Sequence, residues 1–256
     1  MSRWLAYHGD SIYLDELIYQ PEHSLIQQSV ESNKKRVVRA NGDGFGLGWY
    51  SHRALPGYYH DILPAWGDEN LRSLAHHISS HRFMAHIRHS TGSQVSRVNC
   101  HPFVLDNWMF LHNGQISGFD QVKFTLVRQL TEELFLKRVG TTDSELIFLM
   151  MIKNGLRIDP IAAINQTLYE IEQAMEDKSI TGPLKTSLCI SDGEQFWVVR
   201  YSSDHQPPPV FIQCSTNKTI LASEPLDHSD LWQKIPRQTI THIVNHHCTQ
   251  YDLIID

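Results

Sequence analysis

The sequence predicts a layered α+β protein of antiparallel sheet and segregated helices, and three observations carry that prediction. A bulky, aromatic segment follows directly on the start of the chain; apolar-faced helical stretches gather in the middle; and from Thr186 onward short β-rich runs alternate with turn residues. Strands combined with a separate block of helices argue for stacked layers rather than a βαβ wheel. At 256 residues, with 41% apolar and 20% charged residues, the chain can bury one large core, and residues 1–256 are read as a single domain.

Taken in order, Arg3-Trp4-Leu5-Ala6-Tyr7 has the composition of a strand in a two-sided core, so the chain is expected to start inside its own fold. Residues 41–50, Asn-Gly-Asp-Gly-Phe-Gly-Leu-Gly-Trp-Tyr, pass from a turn into a glycine-studded strand, a sign of bulges or of another backbone close by. Their spacing departs from the dinucleotide fingerprint, which needs its third glycine three positions after the second and a helix behind it. Glu69 to Ser80 reads as a short helix, and Arg82 to Arg88 and Trp108 to Leu111 as strands. Phe119, Val122, Leu126, Val127 and Leu130 share one helical face, and Asp143 to Leu156 reads as a strongly apolar helix. Ile161, Ile164, Leu168, Ile171 and Met175 line a face of the stretch opened by Pro160. Later strands are expected over Ser187 to Ile190, Gln195 to Tyr201, Val210 to Gln213, Thr219 to Ala222, Thr239 to Val244 and Tyr251 to Ile255, with turns such as Ser191-Asp192-Gly193 between them.

Bulk chemistry removes several classes of function. A formal charge of -6, with Lys and Arg scattered, lacks the basic stripe of a nucleic-acid binder, and Lys34-Lys35-Arg36 is too short to supply one. No apolar run approaches the ~20 residues that span a bilayer and no secretion signal opens the chain, so a soluble, cytoplasmic protein without a membrane partner is expected. Cys100, Cys189, Cys214 and Cys248 form no CxxC pair, and free thiols are the expectation. His77 and His81 stand at i, i+4 spacing and His246-His247 are adjacent, but neither pair has an evident third ligand; no metal and no other cofactor is expected.

Four clusters are more polar or more constrained than their settings require. Removal of Met1, which a small second residue permits, would give Ser2 a hydroxyl and a free α-amine together. An amine of pKa about 7.7–8.0 suits general-base work near neutral pH, and an N-terminal nucleophile using its own amine is a known variant of nucleophile–base chemistry. On position alone, Ser2 is simply the second residue of any chain. In Ala85-His86-Ile87-Arg88-His89-Ser90-Thr91-Gly92, a strand end delivers Arg88 to a polar turn, where a guanidinium can hold a carboxylate or serve an ordinary ion pair. His112-Asn113-Gly114, after a strand, has the donors of an oxyanion hole and also the composition of a plain Asn-Gly turn. In Gly140-Thr141-Thr142-Asp143-Ser144-Glu145, Thr142 or Thr141 can cap a helix with Glu145 completing a capping box. Asp143 either serves that helix end or faces a cleft, where it would hold an ammonium.

These clusters, with Arg3-Trp4-Leu5-Ala6-Tyr7, Asn41-Gly42-Asp43-Gly44-Phe45-Gly46, Asn99-Cys100-His101-Pro102-Phe103, His112-Asn113-Gly114-Gln115 and Ala222-Ser223-Glu224-Pro225, closely resemble the class II glutamine amidotransferases, specifically their short stand-alone members. The motifs arrive in the family's order over nearly the whole chain. The resemblance implies the N-terminal-nucleophile hydrolase fold, a four-layer αββα sandwich of two antiparallel sheets. It also implies roles: residue 2 as nucleophile with its α-amine as base, the Asn113 side chain and the Gly114 N–H as oxyanion hole, Arg88 with Thr91 nearby for the substrate α-carboxylate, and Asp143 for the α-ammonium. His86, His101 and His112 would support this set from the core. The implied substrate is the side-chain amide of glutamine or of a γ-glutamyl compound, the family including γ-glutamyl hydrolases of thiol metabolism. The absence of a synthase domain favours hydrolysis, or a separate acceptor-bearing partner protein.

The family places cysteine after Met1, where this chain has Ser2. A thiol of pKa near 8.5 is partly ionised at neutral pH, whereas a serine hydroxyl must lose its proton in the transition state, so activity is expected to fall steeply. Three readings of Ser2 stand open: an introduced replacement of cysteine, a native working serine, or a degenerate position in a γ-glutamyl-binding or regulatory protein without turnover.

Overall fold

Alternation along the first strand sets the architecture. In β1 (Arg3–Tyr13) Trp4 and Ala6 pack on one face and Leu5 and Tyr7 on the other, and all four are buried, as a strand with cores on both sides requires. The computed structural model describes residues 2–34, 42–89 and 94–255, apart from the side chains of residues 31–34. Lys35, Arg36, Asn41, Thr91 and Gly92 of the segments above lie outside the described residues.

The helices α1 (Asp15–Ile18) and α2 (Leu25–Lys34) follow β1, then β2 (Phe45–Trp49), β3 (Gly57–Asp61), α3 (Glu69–His77) and β4 (Ser79–Ile87). The second half of the site-bearing region comprises β5 (Phe103–Leu105), β6 (Trp108–Ile116), α4 (Phe119–Val127), α5 (Glu132–Lys137), α6 (Asp143–Lys153) and α7 (Pro160–Asp177). The remaining strands are β7 (Leu184–Ser191), β8 (Gln195–Ser202), β9 (Phe211–Cys214), β10 (Lys218–Ala222), β11 (Gln233–Lys234), β12 (Thr239–Val244) and β13 (His247–Asp252). They form a seven-stranded sheet of order β11-β9-β10-β1-β4-β2-β3 and a six-stranded sheet of order β13-β12-β8-β7-β6-β5, both antiparallel.

Three apolar layers hold these sheets. Trp4, Ala6 and Met84 of the first sheet meet Met109, Leu111, Cys189 and Val198 of the second. On the outer side of the first sheet Leu5, Tyr7 and Phe83 pack against Ile18, Leu25 and Leu71 of the early helices. On the outer side of the second, Phe110, Leu188 and Ile190 pack against Phe148, Leu168 and Ile171. The result is the expected αββα sandwich. Helix α6 is buried from Ser144 to Ile152, which explains why its sequence is apolar on every face. Among the described residues no helix is long and apolar enough to cross a membrane.

The differences from expectation have local causes. Strand β6 does not stop at Leu111 but runs to Ile116, because β7 pairs with it through Asn113↔Ser187, Gly114↔Thr186 and Ile116↔Leu184; tertiary pairing overrides the poor strand propensity of Asn and Gly. The helix expected over Glu69 to Ser80 ends at His77, and the chain re-enters the sheet at Ser79. His77 and His81 therefore belong to different elements and share no helical face.

Candidate active site

The start of β1 is fastened by the segment 222–225. Ser223 Oγ accepts from Trp4 N at 3.0 Å, and Ser223 N donates to Trp4 O at 3.0 Å. Glu224 pairs with Arg3 and, at 3.1 Å, with His23. These contacts fix the position of Ser2. Its Oγ accepts from His89 N at 3.1 Å, which sets it against the end of β4 and next to Arg88. Ser2 continues the alternation of Trp4 and Ala6 toward the space between the sheets.

Arg88 is buried, with its N–H donating to Gly44 O at 2.8 Å. Its guanidinium is aimed by main-chain carbonyls: Nη1 donates to Asp43 O at 3.1 Å and Nη2 to Gln94 O at 3.2 Å. Burial presses the Arg88 pKa below its ordinary value. The same Gln94 carbonyl accepts from Asn99 Nδ2 at 2.9 Å, and Asn99 also bonds Thr141 through Nδ2 to Oγ1 at 3.0 Å and through Oδ1 from N at 2.8 Å. Asn99 is 1% exposed and ties the Arg88 side of the site to the start of α6. Losing such buried hydrogen bonds costs about 1–3 kcal/mol each where a partner is left unpaired. The sequence showed Asn99 only as part of a family-like segment; its bridging role depends on two loops meeting in space.

At that helix start Thr142 is the N-cap, its Oγ1 accepting from Glu145 N at 3.1 Å. The capping box is half of the expected one. The Glu145 carboxylate does not return to Thr142 but accepts from Val139 N at 2.9 Å and Gly140 N at 2.8 Å, securing the loop before the helix. Asp143 accepts from Ile116 N at 3.0 Å through Oδ2 and from Ser144 N at 2.8 Å through Oδ1, so its carboxylate is held at the end of β6. Asp143 lines a polar cleft of about 630 Å³ with Gln94, Gln115 and Thr141; Ser2, Arg88, Asn113 and Gly114 are not among its lining residues.

Asn113 and Gly114 are consecutive ladder residues of β6, not a turn after it. Asn113 follows Met109 and Leu111 in alternation and so faces the inter-sheet space that Ser2 also faces. Only glycine fits at 114: a Cβ there would lie 1.9 Å from Lys185 O and 2.5 Å from His112 Nε2. His112 Nδ1 lies 2.8 Å from Ser144 Oγ, which docks α6 on β6.

Buried imidazoles fill the ground between these strands. His86 of β4 lies against the His112 carbonyl of β6 and packs at a tilt against His101, with ring centroids 4.2 Å apart. Burial first, and the Arg88 charge second, push the His86 pKa down to about 3. Burial likewise brings His60 down to about 4 and His101 well below 6.5. For His112 burial also wins, against the opposing pull of Asp143. With these rings held neutral at pH 7, Arg88 is the cation that acts on His86 and His101.

The sequence and the fold have relatives. Residues 24–206 match the family model described as class-II glutamine amidotransferases. The chain is 30% identical over 251 residues to the probable glutamine amidotransferase DUG3 of Saccharomyces cerevisiae, covering 88% of this chain and 70% of the relative. It is 23% identical over 252 residues to the gamma-glutamyl-hercynylcysteine sulfoxide hydrolase of Mycolicibacterium smegmatis, covering 96% and 97%. A solved class-II glutamine aminotransferase domain protein from Silicibacter pomeroyi superposes with a TM-score of 0.79 at 32% identity, over 98% of this chain and 99% of that one. The chain belongs to the class II glutamine amidotransferases.

Proposed function

We propose that this chain is an amidohydrolase that cleaves the side-chain amide of glutamine or of a γ-glutamyl compound, with Ser2 as its nucleophile. The observation that supports this most is a chain of contacts: Ser2 Oγ lies on the His89 N–H beside Arg88, and Asn99 links the Gln94 carbonyl, which Arg88 also bonds, to Thr141, two residues before Asp143. Arg88 takes the substrate α-carboxylate, assisted by Thr91, and Asp143 takes the α-ammonium. With Met1 removed, the Ser2 α-amine accepts the hydroxyl proton as Oγ attacks the side-chain carbonyl. Asn113 Nδ2 and the Gly114 N–H donate to the oxyanion. Collapse releases ammonia or an amine, which takes up the proton, and water then hydrolyses the γ-glutamyl ester to glutamate. A separate partner protein bearing the acceptor would receive ammonia if transfer rather than hydrolysis is the outcome. The likeness to a γ-glutamyl hydrolase over nearly its full length favours hydrolysis.

Ser2 itself supports a second reading, a γ-glutamyl-binding or regulatory protein that completes no turnover. Incubating the protein, with loss of Met1 verified by intact mass, with L-glutamine and a panel of γ-glutamyl amides separates the two. Release of glutamate from these compounds, and none from amides lacking the glutamyl α-groups, is the expected result. Binding without any glutamate release would leave the non-catalytic reading in place.

A further inference from the structure

Six residues along β1 from Ser2, the space between the sheets carries a second polar cluster that the proposed reaction does not use. His8 pairs in register with Thr219 of β10 and Arg82 of β4. Arg82 is 3% exposed, and its Nη2 lies 2.8 Å from His8 Nδ1. The His8 ring stacks on His246, with centroids 4.6 Å apart, and His246 Nδ1 lies 3.0 Å from Thr219 Oγ1. The Thr219 hydroxyl in turn lies 3.5 Å from Cys214 Sγ, and Cys214 Sγ lies 3.7 Å from Cys248 Sγ. Cys214 ends β9 of one sheet and Cys248 sits in β13, the edge strand of the other. Both are exposed, whereas Cys100 and Cys189 are buried.

We propose that Cys214 and Cys248 are a reversible disulfide site, oxidised by exchange with a low-molecular-weight disulfide and clasping the two sheets at this end. The two thiols are unequal. A hydrogen bond from Cys248 holds the Cys214 pKa down to about 6, against burial and with help from Thr219, while the same contact raises Cys248. Cys214 is thus the thiolate that attacks first. Its sulfur bonds to one sulfur of the small disulfide, whose S–S bond breaks, and one small thiolate leaves and takes a proton from water. Cys248 then loses its proton and attacks Cys214 Sγ, the mixed disulfide breaks, and the second small thiolate leaves. Two protein thiols are oxidised and one small disulfide is reduced to two thiols; excess small thiol reverses the sequence.

The test treats the native whole chain with 2-hydroxyethyl disulfide, alkylates remaining thiols and maps the peptides without reduction. The expected product is a Cys214–Cys248 linked peptide that dithiothreitol removes. Cys248→Ser should instead keep a lasting small-thiol adduct on Cys214. The oxidised protein should unfold several degrees above the reduced one, because linking positions 34 residues apart restricts the unfolded chain. Separate adducts on both cysteines of the native protein, Cys214 and Cys248 both still open to alkylation after treatment, or equal unfolding midpoints would overturn the proposal.

Discussion

Replacing Ser2 by Cys should raise the rate of γ-glutamyl hydrolysis at neutral pH by on the order of a hundredfold or more, with little change in KM. In the proposed mechanism the base is the α-amine, a group whose ordinary pKa is about 7.7–8.0. It can take a proton from a thiol of pKa about 8.5 almost without cost, but from a serine hydroxyl only as the bond to carbon forms. KM should stay because the proposed grip on the substrate lies elsewhere, at Arg88 and Asp143, and because the His89 N–H, now 3.1 Å from Ser2 Oγ, can receive a sulfur in the same place. Steady-state kinetics on the two proteins, each freed of Met1, read this directly. Equal rates would make Ser2 a nucleophile tuned to its own site.

Acid should destabilise this protein well above the usual carboxylate range. The histidines His60, His86, His101 and His112 are all held below their ordinary pKa of 6.5, His60 at about 4 and His86 at about 3. Their neutral burial contributes fully to stability above pH 6.5. Below it the unfolded chain binds protons that the folded one refuses, and stability is lost progressively as pH falls toward the folded values. Each such group costs about 1.4 kcal/mol per pH unit within that window. The two whose folded values lie near 4 and 3, His60 and His86, together reach roughly 3 kcal/mol per unit, against a total stability of roughly 5–15 kcal/mol. Urea midpoints measured at pH 7, 6 and 5 should therefore fall step by step. A midpoint unchanged between pH 7 and pH 5 would mean that these rings are solvated or ion-paired.

The parts of the fold legible in the sequence are those with a strong period or a strong composition. The Trp4–Ala6 and Leu5–Tyr7 alternation, the all-round apolar helix α6 and the strand β12 needed no partner to be seen. Helix α2, LIQQSVESNK, was missed because most of its residues are polar, and the edge strands β3 and β5 because they are short. Asn113 and Gly114 were placed at a strand end because their intrinsic preferences favour turns; β7 decides otherwise, and the Lys185 carbonyl makes the glycine obligatory. The candidate site residues are visible as residue types, but the contacts that hold them are not: Asn99 and Ser223 act across gaps of sequence that no local pattern spans. The thiol pair Cys214 and Cys248 was hidden for the same reason.

The central claim is that Arg88 and Asp143 hold the α-end of a glutamyl substrate, and equilibrium binding tests it without requiring turnover. Calorimetric titration with L-glutamine should show binding to the native protein, weakened roughly tenfold to a hundredfold by Arg88→Ala, as loss of a charge-assisted contact worth about 1.5–3 kcal/mol implies. 4-Aminobutanamide, which lacks the α-carboxylate, should bind the native protein and Arg88→Ala equally weakly. Unchanged affinity for L-glutamine in a folded Arg88→Ala protein would contradict the account.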